Sequence, residues 1–184
     1  MITEKMPRLL LIAGTGRDCG KTSFACDVIR RFKDIMPLIA VKISPHRHPL
    51  LQGGPVITDD EDPYIAEETS LSTGKDSSRM LAAGAHRSYF IMASDERLLT
   101  AFDNVVSLVG KDSFFICESG GLRRYIKPGL FIFIKHVEET LGKPDNDRLK
   151  DMADAAFTFG GYKHDFDPGR IMIEDNCWKI KKLS

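Results

Sequence analysis

The chain has 184 residues, 42% hydrophobic and 28% charged, enough apolar sequence to bury one sizeable core. Lys plus Arg and Asp plus Glu both number 26, so no net charge draws the chain to nucleic acid or to an acidic membrane surface. The opening MITEKMPRLLLIAG has too short an apolar run for a signal peptide or membrane helix, and Cys19, Cys26, Cys117 and Cys177 show no paired metal spacing. A single cytoplasmic domain over residues 1–184, with reduced thiols, is the expectation.

Leu9 to Ala13 is an apolar run suited to a strand buried on both faces. A glycine-rich loop follows and ends in Gly20-Lys21-Thr22, where a helical pattern starts. Strand, glycine loop and a helix opening on Gly-Lys-Thr form the layout of a phosphate-binding P-loop. Glycines let backbone N–H groups turn onto an anion, and the helix N-terminus adds unpaired N–H groups and partial positive charge. The expected binding segment is Gly14, Thr15, Gly16, Arg17, Asp18, Cys19, Gly20, Lys21, Thr22 and Ser23. Lys21 would reach the terminal phosphates, and the Thr22 hydroxyl would ligate Mg²⁺. The common G-x-x-x-x-G-K-[S/T] form puts a glycine where this chain has Thr15, and Gly14 lies one place earlier, so the loop is one residue longer. A chance Gly-Lys-Thr is the alternative. Gly74-Lys75, Gly110-Lys111 and Gly142-Lys143 are controls that lack both the following hydroxyl and the strand context.

Thr22 to Lys33 reads as helix, with Ala25, Val28, Ile29 and Phe32 on one core-facing stripe. Leu38 to Ile43 reads as a second strand, paired parallel to the first through a right-handed crossover. Ser44 to Pro63 reads as loop, Tyr64 to Thr69 as a short helix, and Asp76 or Ser77 as the cap of a helix reaching Ala83. Arg87 to Met92 is a third strand. Ser94 is the expected cap of a helix through Val109, which Gly110 ends. Strands at Phe114 to Cys117, Leu130 to Ile134 and Ala155 to Phe159, a helix at Asn146 to Met152 and a hairpin around Asp175-Asn176 complete the chain. The expected architecture is α/β, a three-layer P-loop NTPase fold with a mostly parallel sheet and a C-terminal β-hairpin. Ligands in such sheets bind beyond the C-terminal strand ends.

Other residues cluster near those ends. Glu118 closes a strand before Ser119-Gly120-Gly121, and either coordinates Mg²⁺ or positions an attacking group, or else caps the strand end or the next helix. Lys42 either reaches phosphate or substrate as a point charge or is a snorkelling structural lysine. Lys21, Glu118 and Lys42 are the catalytic candidates. His46 and His48 suit an anionic-substrate loop; a dedicated zinc site and a plain surface turn are the alternatives. Within the run Asp59, Asp60, Glu61 and Asp62, Asp59 is the candidate second Mg²⁺ ligand, against a solvated acidic face. Arg123 and Arg124 either hold a second anionic substrate or are surface charges. Phe159 to Lys163 is a base-pocket candidate by position alone.

The segment Ser72 to Ser94, STGKDSSRMLAAGAHRSYFIMAS, resembles the Gly-Lys-Asp-Ser…Ala-Gly-Ala segment of the molybdopterin-guanine dinucleotide biosynthesis B proteins. Val41-Lys42-Ile43 and the later His46 and His48 stand where that family has Ile-Lys-His and a further histidine, and Glu118-Ser119 stands where it has Glu-Gly. The resemblance covers roughly residues 8–135. The longer loop and Glu118-Ser119-Gly120-Gly121 look more like dethiobiotin synthetase. Both families belong to one P-loop class, with the signal-recognition and cell-division-site NTPases.

The resemblance implies Mg²⁺-dependent binding and slow hydrolysis of a nucleoside triphosphate, GTP before ATP, in assisting nucleotide attachment to the molybdenum cofactor. It also implies a pterin or other anionic small molecule near His46, His48, Arg123 and Arg124, and a homodimer or other partner that completes the site, since no residue is evident to position the attacking water. Neither nucleic acid nor membrane is an expected partner. An ATP-dependent ligase or kinase resembling dethiobiotin synthetase and a non-catalytic nucleotide sensor are the alternatives.

Overall fold

A computed structural model describes residues 4–16, 18–45, 54–60, 62–137, 144–161 and 163–181. The strands are β1 (Glu4–Gly14), β2 (Leu38–Ser44), β3 (Val56–Asp59), β4 (Tyr64–Glu68), β5 (Arg87–Met92), β6 (Phe114–Glu118), β7 (Ile126–His136), β8 (Ala155–Phe159), β9 (Ile171–Glu174) and β10 (Cys177–Ile180). The helices are α1 (Lys21–Phe32), α2 (Asp76–Ala82), α3 (Leu98–Val109) and α4 (Pro144–Asp151). The first eight strands form one sheet in the order β3-β4-β5-β2-β6-β1-β7-β8. It is parallel from β5 to β8, and β4 and β3 add antiparallel at one edge.

Alternation along the strands sends side chains to two cores. Leu9, Leu11, Val41, Cys117 and Phe131 pack under α3 and α4. Leu10, Ile12, Ala40, Ile116 and Ile132 pack under α1, α2 and the C-terminal hairpin. A sheet covered on both faces explains why its central strands read as continuous apolar runs. Ala25, Val28, Ile29 and Phe32 of α1 are all buried. Among the described residues no helix is long and apolar enough to cross a membrane.

Four sequence expectations change. β6 lies between β1 and β2, so the first βαβ unit is parallel but its strands are not neighbours. Tyr64–Glu68 is a strand, not a helix: between β3 and β5 its Tyr64, Ile65 and Ala66 are buried, and that burial outweighs a helix-compatible Ala-Glu-Glu. Val56–Asp59, expected as loop, is edge strand β3. Ser94 does not cap α3, which begins at Leu98 directly after a turn in which the Arg97 N–H donates to the Ser94 carbonyl (3.1 Å). Gly110 does end it, at φ 93°.

The hairpin turns on Asp175 and Asn176, both left-handed (φ 53° and 58°), as a two-residue type I′ turn requires. It seals one core edge with Trp178, which is fully buried, edge-on to Phe32 and Phe114, and donates from Nε1 to the Arg8 carbonyl (3.0 Å). A β-branched residue cannot take the turn's φ cheaply. Asn176→Val is expected to lower stability by about 1–2 kcal/mol, measured by urea unfolding.

Candidate functional site

The parallel strands end on one edge of the sheet, and register sets which side chains meet there. Glu118 pairs with Ile12 of β1 on one side and Lys42 of β2 on the other. In the alternation of their strands, Lys42 and Glu118 fall with Ala40 and Ile116 on the face covered by α1 and α2. That face also receives Thr22 from α1 and Asp76 from α2.

The four side chains form one network, in which Thr22 and Glu118 are buried and Lys42 and Asp76 are partly exposed. Thr22 Oγ1 donates to Glu118 Oε2 (2.5 Å). Lys42 Nζ lies 2.5 Å from Glu118 Oε1 and 2.9 Å from Asp76 Oδ2. Thr22 is also within hydrogen-bonding reach of Asp76. Burial favours the neutral forms of Lys42 and Asp76, but for Lys42 the Glu118 and Asp76 charges win, and for Asp76 the Lys42 charge wins with the hydrogen bonds from Lys42 and Thr22. Lys42 is held above its ordinary pKa of 10.5 and Asp76 below 3.8. Lys42 therefore lends its stability fully below about pH 10.5 and loses it only as pH rises through the raised folded value. Asp76 lends its share above about pH 3.8 and loses it as pH falls through the depressed folded value. The contribution of this pair to wild-type stability is thus expected to stay constant from about pH 5 to about pH 9 and to fall only outside that window. Urea unfolding at several pH values checks this.

The loop before α1 is anchored at its start. Gly14 pairs with Ile134 of β7, and the Thr15 N–H donates to the Ile134 carbonyl (3.1 Å). The Thr15 hydroxyl accepts from the His136 N–H, and its carbonyl from the Asn146 amide, both at 3.2 Å. The extra loop residue thus continues the β1–β7 ladder and ties it to α4. Gly20 is left-handed (φ 82°) and sits under Phe159 and His164, with His164 Nε2 3.0 Å from its carbonyl. The backbone N–H groups of Asp18, Cys19, Gly20, Lys21, Thr22 and Ser23 have no acceptor among the described residues. Lys21 folds back to donate to the Gly16 carbonyl; its Nζ is 3.1 Å from Cys19 Sγ and 4.0 Å from Glu118 Oε1.

Loop and network share a cleft of about 1290 Å³, which continues past Glu118 to Ser119, Gly120, Arg123 and Arg148. Arg124 also lines it but forks onto Asp95 (2.8 and 3.0 Å), and Arg123 lies over the Phe131 ring. Of the base-pocket candidates, Phe159 and Gly161 reach the cleft wall.

The structure brings together Lys21, Thr22, Lys42 and Glu118. It does not bring Asp59, which is exposed on edge strand β3 with β4, β5 and β2 between it and β6, and is absent from the cleft wall. The second carboxylate is Asp76, read from sequence only as a cap; it is the first residue of α2, with Lys75 at the cap position. Its signal is an acid two residues after left-handed Gly74, at a helix start. His164, buried behind the loop, carried no signal. Arg17, His46, His48, Glu61 and Tyr162 lie outside the described residues.

Among the described residues no three His, Cys, Asp or Glu side chains cluster as a metal site. Two carboxylates and a hydroxyl do converge, an all-oxygen set that fits Mg²⁺ sharing its remaining positions with phosphates and water. Comparison with protein-family models, curated proteins and solved structures finds no match for this chain.

Proposed function

We propose that the cleft binds the triphosphate of a nucleoside, GTP or ATP, together with Mg²⁺, and slowly transfers its terminal phosphoryl group to water. The observation that carries this reading is the row of N–H groups from Asp18 to Ser23 that meet no acceptor among the described residues, opening α1 beside Lys21 and the Thr22–Glu118–Asp76 oxygens. N–H groups, a helix N-terminus and a lysine form an anion site, and oxygen donors beside them suit the counter-cation. The loop N–H groups would hold the β- and γ-phosphates, and Lys21 would leave Gly16 for their oxygens. Thr22, Glu118 and Asp76 would hold Mg²⁺, which when bound neutralises charge developing on the phosphoryl oxygens. Preorganised donors account for the catalysis expected of this site. The resemblance to the molybdopterin-guanine dinucleotide B proteins suggests GTP, a role in cofactor nucleotide attachment, and a second copy or partner that completes the site.

A second reading is ATP-dependent transfer to an anionic acceptor. The extension of the cleft to Ser119, Gly120, Arg123 and Arg148 favours it. Phosphate release from GTP and ATP, with and without carboxylate acceptors, separates the two. Slow release that prefers GTP and ignores acceptors supports the first reading, and acceptor-dependent turnover of ATP the second. Tight binding without turnover makes the protein a nucleotide sensor.

A further inference from the structure

We infer that Lys42 is a built-in occupant of the divalent-cation site, holding the Glu118 and Asp76 carboxylates until bound phosphates offer its ammonium another partner, so that metal enters only with nucleotide. The inference rests on the proposed nucleotide reading for its second half and on the geometry for its first.

The Lys42 ammonium lies within contact of both carboxylates, and the second Glu118 oxygen is taken by the Thr22 hydroxyl. Both Glu118 oxygens and Asp76 Oδ2 are therefore already engaged inside the protein. The charge balance adds to this. Glu118 and Asp76 face Lys42, Lys21 at 4.0 Å from Glu118, and Arg79 at 3.6 Å from Asp76. Three cations against two anions leave no negative field to draw in a divalent ion. A metal arriving alone would also strand the Lys42 ammonium, whose side chain is only 18% exposed. A buried charge without a partner is strongly unfavourable. Phosphates in the adjoining loop remove both obstacles, because they supply negative charge and give Lys42 new acceptors. The lysine is the part able to move: Lys42 and Glu118 are paired residues of neighbouring strands, and the flexible lysine stem already lines the cleft.

The test uses Mn²⁺ alone as probe, with free ion followed by electron paramagnetic resonance and no nucleotide present. Wild type is expected to bind Mn²⁺ weakly, and Lys42→Met at least about tenfold more tightly. Lys42→Gln is expected to gain likewise and serves if the methionine variant does not fold. Lys42→Arg, which keeps a cation between the carboxylates, is expected to stay weak, and Asp76→Asn added to Lys42→Met to abolish the gain. No gain in either neutral variant, or a gain that survives Asp76→Asn, overturns the inference. Binding of GTP and ATP to wild type is measured separately. If nucleotide binds and the neutral variants gain nothing, the inference fails and the nucleotide reading stands. If the gain is seen and neither nucleotide binds, the shared cation site stands and the nucleotide reading fails.

Discussion

Lys21→Ala is expected to weaken nucleoside-triphosphate binding about 100-fold, or about 2.8 kcal/mol, while the protein stays folded. The Lys21 ammonium is the flexible cation of the proposed phosphate loop. Its present partners are weak ones, the Gly16 carbonyl, the Cys19 thiol and the edge of Glu118 at 4.0 Å. Charged phosphate oxygens are better acceptors than a carbonyl or a thiol, so transfer of the ammonium to them favours the bound state. Folding loses little by comparison, about 1 kcal/mol or less, because the α1 core contacts of Phe24, Val28 and Ile29 do not involve Lys21. Isothermal titration of GTP and ATP against both proteins reads the affinity change, and a thermal melt reads the fold. Equal affinity in wild type and variant would remove Lys21 from the site.

Gly14→Ala is expected to destabilise the fold by about 2–3 kcal/mol, whereas Gly16→Ala changes it by less than about 0.5 kcal/mol. A Cβ on Gly14 would stand 2.4 Å from the Ile134 carbonyl oxygen and 2.8 Å from Cys19 Sγ. That carbonyl is rigid, since it accepts from the Thr15 N–H in the β1–β7 ladder. A Cβ on Gly16 meets nothing within 4 Å. The close passage of β7 is thus by itself enough to require glycine at position 14. Urea unfolding of the two variants distinguishes these roles. Equal stability would mean that β7 gives way at no cost.

The elements that the sequence made legible are those with one strong local cause. Apolar runs locate β2, β5 and β8, the 3.6-residue stripe locates α1, and Asp175-Asn176 locates the hairpin. Tyr64–Glu68 misleads because its local propensity is helical while its burial is that of an inner strand. The place of β6 between β1 and β2 depends on pairings far apart in the chain, which no local pattern carries. The site divides in the same way. The loop and Lys21 follow from a contiguous motif, and Glu118 from a strand end. Asp76 requires knowing that α2 starts beside β2, and Asp59 looked comparable only because acids were counted along the chain rather than across the sheet. Lys42 interrupts an apolar strand because its face of the sheet meets Glu118 and Asp76 at that level.

We propose that the loop from Gly14 to Ser23 holds a nucleoside triphosphate beside a pair of carboxylates that shares Mg²⁺ with it. Calorimetric titration of wild type with GTP and with ATP, each with Mg²⁺ and with EDTA, tests it most directly. Saturable binding of at least one nucleotide at one site per chain, weakened at least about tenfold when Mg²⁺ is removed, is the predicted result. No binding of either nucleotide with Mg²⁺ present would contradict it.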